Sequence, residues 1–379
     1  MKNKINTMKK VDVAIIGAGP AGIGISAMLD ELGVKKQVVL ERKRIGESFD
    51  KWPEEMRLIT PSFTTNFYGH LDLNSVVSAT SPAYTLRKEH PTGKEYARYL
   101  RAVSKYYNLP IIENANVDGI TYSNKSFKVR INGTEIMESR FLIWSAGEFQ
   151  YPNLNTFKGS ELCLHNSQVR SWRKLVGDEF YIIGGFESGM DAAINLSRLG
   201  KKVNVLDRHA PWNQHSTDPS ASLSPFTLER LKEQMDYNRI NLIEKSDIQN
   251  IKKRDNQYLI KIKGRSKPYI SKTQPILATG FKSSLTIIDN LFDWDNEETY
   301  ALLSEEDESI KTPGLFLVGP QVRHENLIFC FIYKYRQRFG VVANSIGKRL
   351  GVDTHLLQQY KNEGLYLDDL SCCPDECDC

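Results

Sequence analysis

Long apolar runs are absent from this chain of 379 residues, since none approaches the roughly 20 residues that a membrane-spanning helix needs. The basic segment at residues 1–10 also lacks the apolar core of a secretory signal. Charge of one sign is scarce: the formal net charge is +4, without the basic stripe of a nucleic-acid-binding surface. We therefore expect a cytoplasmic protein of two or three globular domains, with neither membrane nor nucleic acid among its partners.

Cysteine is sparse through most of the chain and concentrated at its end. Cys163 and Cys330 stand alone in apolar or mixed segments, where a buried and inert thiol is expected. The other four lie within the last eight residues: Cys372, Cys373, Cys377 and Cys379. In a reducing compartment this cluster indicates binding of a soft metal or exchange with a thiol, rather than a disulfide framework. The alternative is that this C-terminal segment has no function.

The strongest signal is a glycine-rich turn between a predicted strand and a predicted helix. The apolar strand at residues 11–16 continues into Gly17-Ala18-Gly19-Pro20-Ala21-Gly22, and an amphipathic helix follows. Gly17 permits the tight turn, Gly19 lets a pyrophosphate approach the backbone, and Gly22 lets the helix pack on the strand. The free amides at the start of the helix favour phosphate. An ordinary glycine-rich turn is the alternative, but the complete context favours a dinucleotide site.

An acidic residue ends the next predicted strand. Residues 38–40 are apolar and are followed by Glu41, whose carboxylate can accept hydrogen bonds from both ribose hydroxyls of an adenosine. A 2′-phosphate is disfavoured here because two anions would face each other. The ligand of this first unit is therefore NAD-like or FAD-like.

The pattern recurs once. A predicted strand at residues 180–183 leads into Gly184-Gly185-Phe186-Glu187-Ser188-Gly189, then into a helix and a strand that ends on Asp207-Arg208. Phe186 stands where the second glycine belongs, and its β-carbon hinders close approach of a phosphate. We expect a nucleotide here to bind weakly or in a shifted position, and a nucleotide-free unit is the alternative.

Two further segments are expected to be structured. Residues 111–117 and 127–131 predict hairpin-like strands between the two units. After a third apolar strand at residues 314–318, a long helix-compatible stretch runs to residue 350.

The two units, with the strand ends Ser145-Ala146-Gly147 and Ala278-Thr279-Gly280, resemble flavoproteins that carry two dinucleotide-binding domains. The resemblance covers residues 10–350 and is to flavin-containing monooxygenases and to thioredoxin-reductase-like proteins that include bacillithiol disulfide reductase. It implies an α/β fold of two Rossmann-like, three-layer ββα domains, with the NAD(P)H domain inserted into the FAD domain. The implied limits are 10–166 and 285–351 for the FAD domain, 167–284 for the NAD(P)H domain and 352–379 for a cysteine-rich tail.

The resemblance also implies the cofactors, FAD with NADPH or NADH, and the residues that bind them. This set consists of Gly17, Gly19, Pro20, Ala21, Gly22, Glu41, Arg42, Trp52, Val117, Ala146, Gly147, Gly184, Gly185, Glu187, Ser188, Gly189, Asp207, Arg208, Thr279, Gly280, Gly319 and Pro320. Asp207 suits the ribose 2′-hydroxyl of NADH, whereas Arg208 and His209 suit the 2′-phosphate of NADPH. The family favours NADPH.

The implied chemistry is reduction of FAD by NAD(P)H. In the monooxygenase branch, oxygen then passes from a flavin C4a-hydroperoxide to a small substrate with a soft sulfur or nitrogen nucleophile. Asn66 would correspond to an asparagine that touches flavin and nicotinamide, and His324 follows a strand that ends near the flavin; these are the catalytic candidates.

Two departures from the family limit the function. No cysteine pair lies near either unit, which excludes the thioredoxin-reductase mechanism, and Gly319-Pro320 lacks the aspartate that holds the ribityl chain in many relatives. Two alternatives to the monooxygenase stay open: a reductase without a cysteine pair at the flavin, and a redox-sensing or soft-metal-binding flavoprotein that uses the terminal cysteines. The substrate and the oligomeric state are open as well.

Overall fold

The structure, a computed structural model, describes residues 9–65, 68–216, 218, 220–297 and 299–371. Its strands are β1 (Lys9–Ile16), β2 (Gln37–Leu40), β3 (Ile111–Ile112), β4 (Val117–Ser123), β5 (Ser126–Ile131), β6 (Glu135–Trp144), β7 (Leu164–His165), β8 (Glu179–Ile183), β9 (Lys202–Leu206), β10 (Ile240–Ile243), β11 (Ile248–Arg254), β12 (Gln257–Ile262), β13 (Tyr269–Ser271), β14 (Ile276–Leu277), β15 (Leu315–Leu317), β16 (Arg323–His324) and β17 (Leu327–Ile328). Its α-helices are α1 (Pro20–Glu31), α2 (Glu47–Asp50), α3 (Pro82–Leu86), α4 (Gly93–Tyr106), α5 (Glu187–Arg198), α6 (Pro225–Met235), α7 (Ile332–Tyr335), α8 (Phe339–Leu350) and α9 (Leu357–Asn362). None of these described helices is long and apolar enough to cross a lipid bilayer.

A seven-stranded sheet forms the centre of the first domain. Its order is β3-β2-β1-β6-β5-β4, and β15 also pairs with β6. One part of the sheet is parallel and contains β1, β2, β3 and β15. The other part is an antiparallel meander of β4, β5 and the first half of β6. Because β15 follows all strands of the second domain in the chain, the second domain is inserted into the first.

The second domain repeats this plan. Its parallel sheet has the order β10-β9-β8-β14-β7, and β11, β12 and β13 form a separate antiparallel sheet. Two Rossmann-like domains, one inserted in the other, confirm the predicted α/β fold class. The predicted boundary at residue 167 falls just after β7, which already belongs to the second parallel sheet, and the exact domain limits stay a prediction.

Each domain has its own hydrophobic core. The core of the first domain joins segments that are far apart in the chain, with Ile15 of β1, Phe316 of β15 and Phe339 of α8 in one buried cluster. The core of the second includes Ile182 of β8 and Val205 of β9. Burial of these apolar side chains explains why the last third of the chain is needed to complete the first domain.

Two predicted segments differ from the structure. Residues 111–117 are not one strand: β3 pairs with β2, and only β4 forms the hairpin with β5. Asn114 interrupts the segment because its φ of 57° is a left-handed conformation that a continuous strand does not contain. The stretch after β15 is also not continuous helix, since the hairpin of β16 and β17 precedes α7 and α8.

Direct contacts hold the two domains together on their facing sides. The Glu55 carboxylate of the first domain accepts a hydrogen bond from Ser171 Oγ at 2.6 Å. The His90 ring stacks on Phe226 of α6, with 3.6 Å between ring centroids. Near these residues a cleft of about 700 Å³ opens between the domains, lined by side chains of both.

The buried residue His165, the last residue of β7, contacts both chain segments that connect the domains. Its Nδ1 accepts a hydrogen bond from the Ser167 amide at 3.2 Å, and its Nε2 lies 3.1 Å from the Gly280 carbonyl oxygen in the second linker. Because Nδ1 accepts and the carbonyl can only accept, the neutral ring with its proton on Nε2 fits both contacts. The His165 imidazole therefore contacts both chain segments that connect the two domains.

Protonation of His165 is expected to destabilise the fold at acidic pH. Burial lowers the pKa of this imidazole below its usual range. The unfolded chain, in which the imidazole has its ordinary pKa of about 6.5, therefore takes up a proton first as the pH falls. We expect the free energy of unfolding to decrease as the pH falls below about 6.5, by at most about 1.4 kcal/mol per pH unit from this residue. Urea unfolding at several pH values measures the slope. H165Q should remove the part of the slope that comes from His165. Equal slopes in the wild type and in H165Q would show that His165 does not cause the pH dependence.

Candidate cofactor and active site

The first glycine-rich turn joins β1 to α1 and leaves the helix start open. Gly17 has a φ of 105°, a conformation that L-residues rarely adopt, and a β-carbon on Gly22 would lie 1.9 Å from the Gly17 carbonyl oxygen. Gly19 is the N-cap of α1, without a capping side chain from the described residues. A β-carbon on Gly19 would meet no atom within 4 Å. This open space borders the free amides of the first helical turn, an arrangement that fits a phosphate.

The end of β15 adjoins the same turn. Pro20 and Ala21 begin α1, and Pro20 suits this position because its missing amide would have no helical partner. A β-carbon on Gly319 would lie 3.2 Å from the β-carbon of Ala21. The predicted Gly319-Pro320 segment is therefore next to the predicted phosphate-binding turn, although the two are about 300 residues apart in the chain.

Glu41 closes the other side of this turn. Its Oε2 accepts a hydrogen bond from the Ala18 amide at 2.9 Å, and its Oε1 accepts one from the Lys43 amide at 2.8 Å. Burial raises the pKa of this carboxyl, while the two amide hydrogen bonds act in the opposite direction. Each oxygen has two lone pairs and uses one for these amides, so the carboxylate can still accept two hydroxyl groups. This capacity fits the ribose of an adenosine.

A cleft lies beside Glu41 and receives side chains from distant segments. Five predicted cofactor residues line it: Gly17, Glu41, Arg42, Val117 and Ala146. It is completed by Ile16, Leu40, Ala115, Asn116, Trp144, Gln150, Tyr151 and Ile287. Asn116, Gln150 and Tyr151 were not predicted, although Asn116 precedes Val117 and Gln150 closely follows Ala146 in the sequence. Together with the open turn, the cleft fits the adenosine half of FAD.

The remaining residues predicted for this side of the site lie elsewhere or outside the described chain. Trp52 packs against Phe49, with 4.9 Å between ring centroids, and does not line the cleft beside Glu41. Gly147 follows Ala146 with a φ of 63°. Asn66 lies outside the described residues, as do the four terminal cysteines Cys372, Cys373, Cys377 and Cys379. Within the described ranges, no group of three or more His, Cys, Asp or Glu residues could hold a metal ion.

The second glycine-rich turn joins β8 to α5. Gly184 has a φ of 102°, and a β-carbon on Gly189 would lie 1.9 Å from the Gly184 carbonyl oxygen. The Gly185 amide donates to Asp207 Oδ2 at 2.7 Å, and Asp207 Oδ1 accepts from two further amides at 2.7 and 3.1 Å. Asp207 therefore keeps one lone pair, not two, for a ribose. Phe186 is the N-cap of α5 and stands at the position of the second glycine, and the weak binding expected from its β-carbon stays a prediction.

The other predicted residues of the second unit have different surroundings. The Glu187 carboxylate accepts a hydrogen bond from Thr227 Oγ1 at 2.6 Å and so joins the starts of α5 and α6. Ser188 is the second residue of α5, and Arg208 is exposed after β9. Thr279 Oγ1 donates to the Asn153 carbonyl oxygen at 2.9 Å, and Gly280 contacts His165. Glu187 and Thr279 are thus used in contacts within the protein.

His324 belongs to a buried ionic cluster. Its Nε2 lies 2.6 Å from Asp307 Oδ1, and the same carboxylate accepts hydrogen bonds from Arg338 at 2.9 and 3.0 Å. Asp307 and Arg338 are fully buried, while His324 keeps part of its ring accessible. A carboxylate that fixes one ring nitrogen leaves the orientation of the imidazole well defined, as a general acid or base requires.

The two described cysteines differ in exposure. Cys163 is buried, as predicted, in the apolar cluster that also contains Ile251. The prediction that Cys330 is buried was wrong: it is exposed, because it follows the β16–β17 hairpin at the edge between the domains. Its thiol donates to Ser220 Oγ of the second domain at 3.1 Å.

These observations define a class of protein. Two Rossmann-like domains, with an open glycine-rich turn and a carboxylate placed beside it in the first, are the architecture of a flavoprotein oxidoreductase with two dinucleotide-binding domains. The chain belongs to the pyridine nucleotide-disulphide oxidoreductase family, whose profile matches residues 14–319. Family membership confirms the predicted resemblance, the enzyme class and the cofactors FAD and NADP(H).

Two of the curated relatives carry different activities in their names. Indole-3-pyruvate monooxygenase YUCCA1 of Oryza sativa subsp. japonica is 24% identical over 205 residues, 52% of this chain and 47% of that protein. Bacilliredoxin reductase Bdr of Bacillus subtilis is 21% identical over 336 residues, 88% of this chain and 97% of that protein. The chain spans about half the length of the first curated relatives that it matches.

A solved structure supports the same fold. Bacillithiol disulfide reductase Bdr from Staphylococcus aureus matches with a TM-score of 0.73 and 18% identity, over 90% of this chain and 99% of that one. At this identity the similarity establishes the fold alone. The activity must be argued from the residues of this chain.

Proposed function

We propose that this chain is a monooxygenase-like flavoprotein that uses NAD(P)H and oxygen to oxidise a small substrate with a soft sulfur or nitrogen nucleophile. The observation that carries the proposal concerns the two described cysteines. Cys163 lies in the buried cluster with Ile251, whereas Cys330 is exposed and donates to Ser220 Oγ, so the described residues hold no cysteine pair that could exchange with a disulfide. Burial also raises the pKa of Cys163 to about 12.

The residues of the first domain supply binding and orientation. When bound, FAD supplies the redox chemistry, since it can accept a hydride equivalent and pass electrons to oxygen. The amides at the start of α1 and the space at Gly19 hold the pyrophosphate, and Glu41 binds the ribose. Arg42, Val117 and Ala146 surround the adenosine end. In the second domain, Arg208 favours NADPH, because Asp207 has a single lone pair left.

A disulfide reductase is the second candidate. The similarity to Bdr of Bacillus subtilis over 97% of that protein favours it. Since the two described cysteines lie apart and form no pair, such a reaction would depend on the flavin directly or on the cysteines at residues 372–379. The same cysteines support a further alternative, a tail that binds a soft metal or exchanges with a thiol.

One experiment separates these candidates. The full chain and a variant that ends at Ser371 are supplied with NADPH, either with methyl phenyl sulfide in air or with a low-molecular-weight disulfide under nitrogen. The proposal expects sulfoxide in proportion to the oxygen consumed, equally from both proteins. Stoichiometric thiol without oxygen would favour the reductase, and thiol production lost in the truncated variant would assign that reaction to the tail.

His324 is proposed to act as a proton donor or acceptor in this reaction. We expect H324Q to retain FAD and to lower NADPH-dependent turnover about a hundredfold, the usual effect of removing a general acid or base. The exposed His355 provides a matched control, because H355Q leaves the cluster of Asp307 and Arg338 intact. Steady-state rates across pH test the role. An unchanged rate and pH profile in H324Q would leave His324 with a structural role only.

A further inference from the structure

The two glycine-rich turns have the same backbone geometry. Gly17 and Gly184, the first glycines, have φ values of 105° and 102°. Gly19, the N-cap of α1, has φ −85° and ψ −172°, and Phe186, the N-cap of α5, has φ −82° and ψ −167°. Phe186 therefore occupies in the second domain the position that Gly19 occupies in the first.

The hydrogen bonds at these N-caps agree as closely as the dihedral angles. The Gly19 carbonyl oxygen accepts from the Ile23 amide at 3.0 Å, and the Phe186 carbonyl oxygen accepts from the Met190 amide at 2.9 Å. Since the backbones match, the β-carbon of Phe186 points in the direction that is open at Gly19. In the first domain, that direction is where a phosphate reaches the helix amides.

Without the side chain of Phe186, the start of α5 would attract a phosphate. No side chain of the described residues caps this helix through its N-cap, so its first amides are as available as those of α1. The ring of Phe186 is 40% exposed and is not part of the hydrophobic core. Trp212 covers the other side of the turn, because a β-carbon on Gly185 would lie 2.5 Å from its ring. Phe186 and Trp212 thus lie on either side of a turn that binds phosphate in other dinucleotide-binding units.

We propose that Phe186 sets the affinity of the second domain for pyridine nucleotide. Its side chain keeps the pyrophosphate away from the amides of α5, so the chain binds NAD(P)H more weakly than its own fold allows. The proposal rests on the proposed function only in that a pyridine nucleotide is the ligand of this domain. It gives Phe186 a role in cofactor affinity and none in the reaction itself.

Equilibrium binding of oxidised nucleotides to the FAD-loaded protein tests this role without turnover. Isothermal titration calorimetry gives the Kd for NADP⁺ and for NAD⁺ in the wild type, F186G and F186A. We expect F186G to bind at least about tenfold more tightly, the gain from one charge-assisted hydrogen bond to phosphate. F186A should gain less, because it keeps the β-carbon. Glycine is also an acceptable N-cap, so F186G should fold.

Met235 provides the matched control. It is 39% exposed at the end of α6, so M235A removes a similarly exposed apolar side chain away from the turn, and its Kd should equal that of the wild type. An unchanged or weaker Kd in F186G would overturn the proposal, and weakening would assign the ring a stacking role instead. Absence of binding in both wild type and F186G would overturn it too. None of these readings depends on whether the enzyme produces sulfoxide or thiol.

Discussion

Replacing Gly19 with phenylalanine is expected to give a folded protein that no longer retains FAD. A β-carbon at this position meets no atom within 4 Å, and the φ of −85° suits any L-residue, so the fold has room for the change. The added ring fills the space in front of the α1 amides, where the FAD pyrophosphate is proposed to bind. Loss of two charge-assisted hydrogen bonds corresponds to an increase in Kd of about a hundredfold or more.

The ratio of flavin to protein absorbance after purification measures this loss, and circular dichroism shows whether the variant is folded. G19A should give an intermediate ratio, since it adds a β-carbon without a ring. F186G places glycine at the equivalent position of the second domain and should keep full FAD content. A folded G19F protein with stoichiometric FAD would contradict the assignment of the first turn to the FAD pyrophosphate.

Replacing Asp307 with asparagine is expected to destabilise the protein by about 3 to 5 kcal/mol, the usual cost of leaving a buried charge without its partner. Asp307 and Arg338 are both fully buried, and Arg338 donates three hydrogen bonds to this carboxylate, from Nε to both oxygens and from Nη2 to Oδ1. Asparagine also tolerates the left-handed φ of 61° at this position, so the effect comes from the charge and its hydrogen bonds. Urea unfolding gives the free energy directly.

An exposed ion pair serves as the control. Asp178 has a fully exposed side chain whose Oδ1 lies 3.4 Å from Lys201 Nζ, and D178N should leave the free energy of unfolding nearly unchanged because water screens this pair. If D307N is too unstable to purify, the double variant D307N/R338M can be measured instead. It shows whether the instability comes from the unpaired charge of Arg338, because replacing both charges should then restore part of the stability. A D307N protein as stable as the wild type would show that the buried cluster contributes little.

The parts of the site that lie within one strand, turn and helix could be predicted from the sequence. The turn at residues 17–22 and the acid at Glu41 are encoded locally, by glycine spacing and by the end of an apolar strand. The two-domain fold followed from finding this unit twice. The departure at Phe186 could be seen in the sequence too, but its geometry required the matched N-caps of α1 and α5.

The parts that depend on distant segments could not be predicted. Asn116 and Tyr151 reach the cleft beside Glu41 only because the segments around β4 and after β6 meet there. Asp307 carries no local signal, since its partners His324 and Arg338 come from a hairpin and a helix start that fold against it. The exposure of Cys330 was missed for the same reason, because local apolar composition does not reveal that the segment lies where the two domains meet.

The most direct test of the proposed function is to reduce the purified protein with NADPH under nitrogen and then mix it rapidly with oxygenated buffer. We expect a flavin spectrum that bleaches on reduction. It should then return through a long-lived absorbance band that differs from both oxidised and reduced flavin. Immediate reoxidation without such a band would contradict the monooxygenase proposal and favour a reductase. Protein purified without flavin that cannot be loaded with FAD would contradict the assignment of the first domain.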